Sequence, residues 1–292
     1  ASKANRWASE MGVPYKLYKG DFFTEVEKIP DGSIHLVLTD LPYGTTAGAW
    51  DVVIPFAPMW EQVKRVLYSN GAFITTASQP FTSALIMSNP SWFKYEWIWD
   101  KRLAGNAMNS NYQPLKIHEN ILVFSKNGHT YNPQMRRGRL RTKLTNTTWK
   151  STFGTQQSVA TKNDVYKPTS ILDFSIPRVG REHPTQKPVE LYQYLVRTYS
   201  NLGETVLDFC MGSGTTGIAS ISEGREFIGI EKEPAYFSIA EKLIKQSARK
   251  QALFHEAQQS VHLTASGAGG RGQNPLQSSF IADDPSAKHG GR

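Results

Sequence analysis

A single cysteine, Cys210, stands in the 292 residues, which excludes an internal disulfide framework and argues against a structural zinc site. The seven histidines show no metal-ligand spacing, and His118 and His183 read as local hydrogen-bonding residues, so no metal is expected. No apolar run is long enough to cross a bilayer and no N-terminal signal pattern is present, so no membrane partner is expected. No internal repeat is evident. Acidic residues are nearly absent from one stretch. Over residues 126–168 only Asp164 opposes nine bases: Lys126, Arg136, Arg137, Arg139, Arg141, Lys143, Lys150, Lys162 and Lys167. The surplus there equals the +8 of the whole chain, so the remainder is close to neutral. A basic segment confined to one stretch points to a polyanion more strongly than the overall pI near 9.4 does.

Outside that stretch, short β-branched or apolar runs alternate with helical stripes. Ile34–Thr39 reads as a buried strand after the turn residues Pro30, Asp31 and Gly32. Residues 55–68 carry Phe56, Met59, Trp60, Val63, Val66 and Leu67 at helical spacing, with Pro55 suited to a helix start. Strands are also expected at 16–21, 72–76, 94–99, 120–124, 205–208 and 226–231. Helices are expected at 22–28, 81–87, 189–202, after the small-residue turn 210–216 to about 223, and from Pro234 to about 249. This alternation predicts an α/β fold with a mostly parallel twisted sheet and helices on both faces. Residues 126–182 lack periodicity and read as a loop-rich insert, with Tyr131, Trp149 and Phe153 interleaved among the charges. Residues 251–292, increasingly rich in Gly, Ala, Ser and Gln, read as a flexible tail.

The stretch that organises the chain is Asp40, Leu41, Pro42, Tyr43 and Gly44, at the C-terminal end of the Ile34–Thr39 run. The acid can accept hydrogen bonds from an amino group. Pro42 biases Leu41 away from helical geometry and so helps to fix its carbonyl. Tyr43 offers a flat face to a planar ring, and Gly44 permits close backbone approach. The block resembles the Asp-Pro-Pro-Tyr signature of DNA methyltransferases that modify the amino groups of adenine or cytosine. Leu41 replaces the first proline, but the group that the family uses there is a backbone carbonyl.

The second half adds a strand, a glycine turn, a helix and a strand ending in an acid, the layout of a nucleotide-type binding half. Gly212, Gly214 and Gly217 satisfy the Gly-x-Gly-x-x-Gly spacing, which by itself does not separate a dinucleotide from S-adenosylmethionine. A phosphate-cradling loop would need a lysine where Ile218 stands. Residues 208–216 resemble the S-adenosylmethionine loop of the amino-methyltransferases, with Phe209 and Cys210 at its Pro-Phe positions. The block from His183 to Pro188 resembles the one that these enzymes carry before that loop. The resemblance implies a Rossmann-like S-adenosylmethionine methyltransferase fold in the permuted, β-class motif order, with a cofactor site formed by Asp21, Thr185, Lys187, Asp208, Phe209, Cys210, Gly212, Ser213, Gly214, Thr215 and Glu231. Residues 1–125 and 183–250 would form the catalytic domain and 126–182 a target-recognition insert, binding double-stranded DNA through Arg136, Arg137, Arg139, Arg141 and Lys143.

Asp40, Leu41, Pro42 and Tyr43 would then be catalytic. The Asp40 carboxylate and Leu41 carbonyl would accept the two N–H groups of a flipped-out adenine, and Tyr43 would stack on it. Cys210 lies in the cofactor loop, away from the Pro-Cys pair of cytosine-5 enzymes, and reads as a small buried residue. Asp at position 40 favours adenine over the cytosine-N4 enzymes, which usually carry Ser there. A methyltransferase acting on protein glutamine would have the opposite motif order, and a dinucleotide oxidoreductase leaves the Asp40 block unexplained. The family also suggests a homodimer, a cognate restriction endonuclease, and a cytoplasmic, prokaryotic or phage-encoded origin.

Overall fold

The computed structural model describes residues 14–45, 48, 51–143, 147–152, 154–158, 161–176 and 187–266. These form two compact units, one of residues 14–132 and 170–266, the other of residues 133–169.

The larger unit is built on one eight-stranded sheet. In chain order its strands are β1 (Tyr15–Lys19), β2 (Ile34–Thr39), β3 (Leu67–Ala77), β4 (Phe93–Asp100), β5 (His118–Phe124), β10 (Ile171–Asp173), β11 (Thr205–Asp208) and β12 (Glu226–Glu231). They lie side by side as β1-β12-β11-β2-β3-β5-β4-β10. Every pairing is parallel except the two made by β5, so seven strands share one direction and β5 alone is reversed. Among the described residues of this unit the α-helices are α1 (Phe22–Glu25), α2 (Phe56–Val66), α3 (Phe81–Ser88), α4 (Val189–Tyr199), α5 (Thr215–Ser222) and α6 (Pro234–Ser266).

Alternation along the strands sorts their side chains into two cores. Leu36 and Leu38 of β2 join Ile74, Val206, Leu191 and Leu195 in one cluster. Val37, between them, joins Phe73, Leu207, Met59, Trp60 and Val63 in the other. Both faces of β2 are thus covered, which explains its unbroken apolar run. Each large apolar side chain buried here contributes about 1.5–3 kcal/mol. The expected strand at 72–76 is the end of a longer β3. A Cβ at Gly71 would come within 2.8 Å of Leu67 and 3.1 Å of the His35 carbonyl, so glycine lets the start of the strand pack there.

The smaller unit corrects the expectation of a loop-rich segment. Strand β6 (Arg136–Lys143) pairs antiparallel with β9 (Thr161–Tyr166), and β7 (Thr147–Ser151) pairs antiparallel with β8 (Gly154–Ser158). Most of their residues are polar, so the apolar alternation that betrays a half-buried strand is missing. Strand β10, also within the range read as insert, belongs instead to the edge of the main sheet beside β4. Helix α6 is the second correction, since it continues to Ser266, into the first part of the range expected to be a tail. Ala240, Ile244, Ala248 and Ala252 recur every fourth residue on its buried side. Residues 267–292 lie outside the described residues. Among those described, no helix is long and apolar enough to cross a membrane.

Candidate active site

Five adjacent parallel strands end on the same edge of the sheet, where ligands of open α/β folds bind. Asp21 follows β1, Asp40 follows β2, Ser78 follows β3, Asp208 ends β11 and Glu231 ends β12, and all five line one cavity of about 720 Å³. That volume is within the usual range for a small-molecule site. Because β5 runs the other way, its beginning lies at this edge too, and Glu119 reaches the same cavity.

Asp40 is held by three side chains. Tyr43 donates its hydroxyl to Asp40 Oδ1 at 3.0 Å, and the buried Thr76 hydroxyl donates to the same oxygen. Lys187 Nζ lies 3.1 Å from Oδ2. The same ammonium is 3.1 Å from Glu119 Oε2, and Lys101 Nζ is 3.0 Å from Glu119 Oε1. Burial acting alone would lower the Lys187 pKa, but the Asp40 and Glu119 carboxylates raise it. Burial likewise opposes ionisation of Glu119, and the two lysines outweigh it and lower the pKa. The Tyr43 ring packs on Phe81 with centroids 5.2 Å apart. Leu41 is buried in the core and also lines the cavity. Beyond Tyr43 the chain is pinned by Asp51, whose two carboxylate oxygens accept the Gly44 and Thr45 N–H groups at 2.8 Å each. Gly44 has φ +67°, a left-handed turn that glycine makes at little cost.

The opposite wall carries the glycine turn. Asp208 is 3 % exposed and accepts hydrogen bonds from Thr39 Oγ1 (2.7 Å), the Cys210 N–H (3.0 Å) and Thr216 Oγ1 (2.5 Å). Burial pushes its pKa up to about 7 against those three donors. It joins the ends of β2 and β11 to the start of α5, a stabilising junction in the cavity wall. Gly214, at the N-cap of α5, has φ +85°, while a Cβ at Gly217 would come within 2.7 Å of Ile244 and Phe227. The third glycine of the spacing is therefore a packing requirement between α5, α6 and the sheet.

Glu231 is buried, and accepts the N–H groups of Gly212 and Glu233 at 2.8 Å each. Burial raises its pKa against these donors. Asp21 caps α1 by accepting the Phe23 N–H at 3.0 Å. Phe209 is buried and stacks on Phe22 with centroids 4.1 Å apart, both lining the cavity. Cys210, Gly212, Ser213 and Thr215 also line it. Burial raises the Cys210 pKa well above the usual thiol value, so the thiol is an inert wall residue. Thr185 lies outside the described residues.

Arg136, Arg137, Arg139, Arg141 and Lys143 are brought together on β6 of the smaller unit. The four arginines are exposed, and among the described residues no carboxylate pairs with them.

Sequence reasoning missed Thr39, Asp51, Thr76, Glu119 and Tyr192. Tyr192 is 1 % exposed and lines the cavity. Its only signal was a place on the amphipathic stripe of α4, which reads as core.

This fold is that of the S-adenosylmethionine-dependent DNA methyltransferases, with the Asp40 block and the glycine turn on one sheet edge. The chain belongs to the DNA methylase family of N6/N4 amino-methyltransferases, whose model matches residues 34–242. It is 33% identical over 150 residues to the type II methyltransferase M.BglI of Bacillus subtilis, covering 51% of this chain and 37% of that protein. The chain thus spans little more than a third of that relative's length. It is 28% identical over 248 residues to the DNA adenine methyltransferase YhdJ of Escherichia coli (strain K12), covering 75% of this chain and 79% of YhdJ. Among solved structures, the M1.HpyAVI–SAM complex has the same fold, with TM-score 0.54 and 23% identity over 78% of this chain and 98% of that one.

Proposed function

We propose that the protein transfers a methyl group to the exocyclic N6 amine of an adenine extruded from duplex DNA. The observation that carries this reading is the Asp40 carboxylate. It stands in the cavity wall with Oδ1 fixed by Thr76 and Tyr43 and Oδ2 fixed by Lys187, in the same cavity as the glycine turn and Glu231.

The cavity residues fit S-adenosylmethionine. Glu231 keeps acceptor capacity beyond its backbone donors and suits a ribose diol. Phe22 and Phe209 supply apolar aromatic surface beside Asp21, which suits an adenine ring and its amine. The cofactor supplies an electrophilic methyl group on a sulfonium.

The rest of the chemistry belongs to the chain. An exocyclic amine conjugated to its ring is a poor nucleophile until its lone pair is localised on nitrogen. By accepting its two N–H groups, the Asp40 carboxylate and Leu41 carbonyl favour a tetrahedral nitrogen. Positioning is the main contribution. The carboxylate also stabilises the positive charge that develops on nitrogen. Tyr43, backed by Phe81, is the stacking surface for the extruded base. Residues 133–169 serve target recognition, with the exposed arginines of β6 following phosphates. A homodimer and a cognate endonuclease belong to the same reading.

The test is methyl transfer from labelled S-adenosylmethionine to duplex DNA, followed by digestion and nucleoside analysis. N6-methyladenine is the expected product. N4-methylcytosine would overturn the choice of base, and unlabelled DNA beside labelled protein would overturn the substrate class.

A further inference from the structure

The cavity holds more charge than the proposed chemistry uses. Lys101, Glu119, Lys187 and Asp40 form an alternating chain of ion pairs at 3.0, 3.1 and 3.1 Å. The side chains of the first three are only 12–14 % exposed, whereas that of Asp40, at the cavity end, is 29 % exposed. An unshared ammonium against Asp40 would work against its role. It would draw the carboxylate toward itself and place a positive charge beside an amine on which positive charge develops. Glu119 holds Lys187 at the same distance from the other side, and Lys101 occupies the other oxygen of Glu119.

We infer that Glu119 is a positioning residue for methyl transfer, sharing Lys187 with Asp40 so that the ammonium is balanced from both sides and the Asp40 carboxylate keeps its orientation for the substrate amine. The inference rests on the assignment of Asp40 to that amine. Glu119 acts through Lys187 and touches no reacting atom. The reversed direction of β5 is what brings it there, since its first residues meet the ends of the parallel strands.

The test is a kinetic double-mutant cycle on the full chain, with Glu119→Gln, Glu119→Asp, Lys187→Met and the Glu119→Gln/Lys187→Met pair. Glu119→Gln is expected to lower kcat about ten- to hundredfold, the scale of a small misplacement of a reacting group. KM for DNA and calorimetric affinity for S-adenosylmethionine should stay within about threefold of wild type, because the loss belongs to the transition state. Glu119→Asp keeps the charge and should recover most of kcat. In the Lys187→Met background, adding Glu119→Gln should cost less than about threefold, because residues acting through one another are non-additive. A wild-type kcat for Glu119→Gln, a loss undiminished in the Lys187→Met background, or a Glu119→Gln protein that no longer folds would each overturn the inference. Wild-type protein and Asp40→Ala run alongside separate the two failures. An active wild type, an impaired Asp40→Ala and an unaffected Glu119→Gln would sink the Glu119 role alone.

Discussion

Replacing Asp40 by Ala is the most direct perturbation of the proposed chemistry. The side chain is 29 % exposed and its three partners all have other anchors or surroundings, so the fold should survive. Lys187 keeps Glu119 at 3.1 Å. The Thr76 and Tyr43 hydroxyls lose an acceptor; only Thr76 is fully buried, so the cost is about 1–3 kcal/mol and should lower the melting temperature. The rate should suffer much more. One preorganised electrostatic partner is worth about 10²–10³ in rate, or about 2.7–4 kcal/mol, and Asp40 is assigned to that role. Asp40→Asn should be the milder change. Its amide oxygen can still accept from Thr76 and Tyr43, while its NH₂ group would face the Lys187 ammonium, donor against donor. Single-turnover transfer to a saturating duplex reads the rate, and calorimetry with S-adenosylmethionine reads ground-state binding, which should be close to wild type. A folded Asp40→Ala protein that transfers methyl groups at the wild-type rate would refute the assignment.

Replacing pairs among Arg136, Arg137, Arg139 and Arg141 by Ala should flatten the salt dependence of DNA binding, by about 0.9 in the log–log slope for each phosphate no longer neutralised, while affinity for S-adenosylmethionine stays unchanged. Binding titrations at several salt concentrations check this, and an unaltered slope would leave β6 without a phosphate role. Glu231→Ala should weaken S-adenosylmethionine binding by about 1.5–3 kcal/mol, the scale of charge-assisted hydrogen bonds. Calorimetry reads this loss, and an unchanged affinity would remove Glu231 from the ribose. Asp208 has an ordinary value of 3.8 and a folded value of about 7, raised by burial, so folding favours its protonated form. Its ionisation therefore costs stability progressively as pH rises from about 4 to 7, and the cost is constant above the folded value. The melting temperature of wild type relative to Asp208→Asn should fall across that window, and a flat difference would show that Asp208 ionises in the fold as freely as outside it.

Much of the fold was legible because its signals are local. Strand β2 reads from an unbroken apolar run, and α2 and α4 read from stripes that their burial explains. The polar strands β6 to β9 did not read, since an exposed ladder leaves no apolar alternation in the side chains. Helix α6 was cut short because its later residues, Ala, Gln and Ser among them, suit a helix and a tail alike.

The candidate site divides along the same line. Asp40, Asp208 and Glu231 were visible as acids at the ends of strands, because parallel strands deliver their C-termini to one edge whatever their order. What holds those acids is set by neighbours distant in sequence. Thr39 meets Asp208 only because β2 and β11 are adjacent, and Thr76 meets Asp40 only because β3 lies on the other side of β2. Glu119 is the sharpest case. It begins a strand, a position that in an all-parallel sheet would put it at the far edge. Reversal of β5 carries it to the site, so its meaning lies in the direction of its strand, which no local pattern in the sequence records.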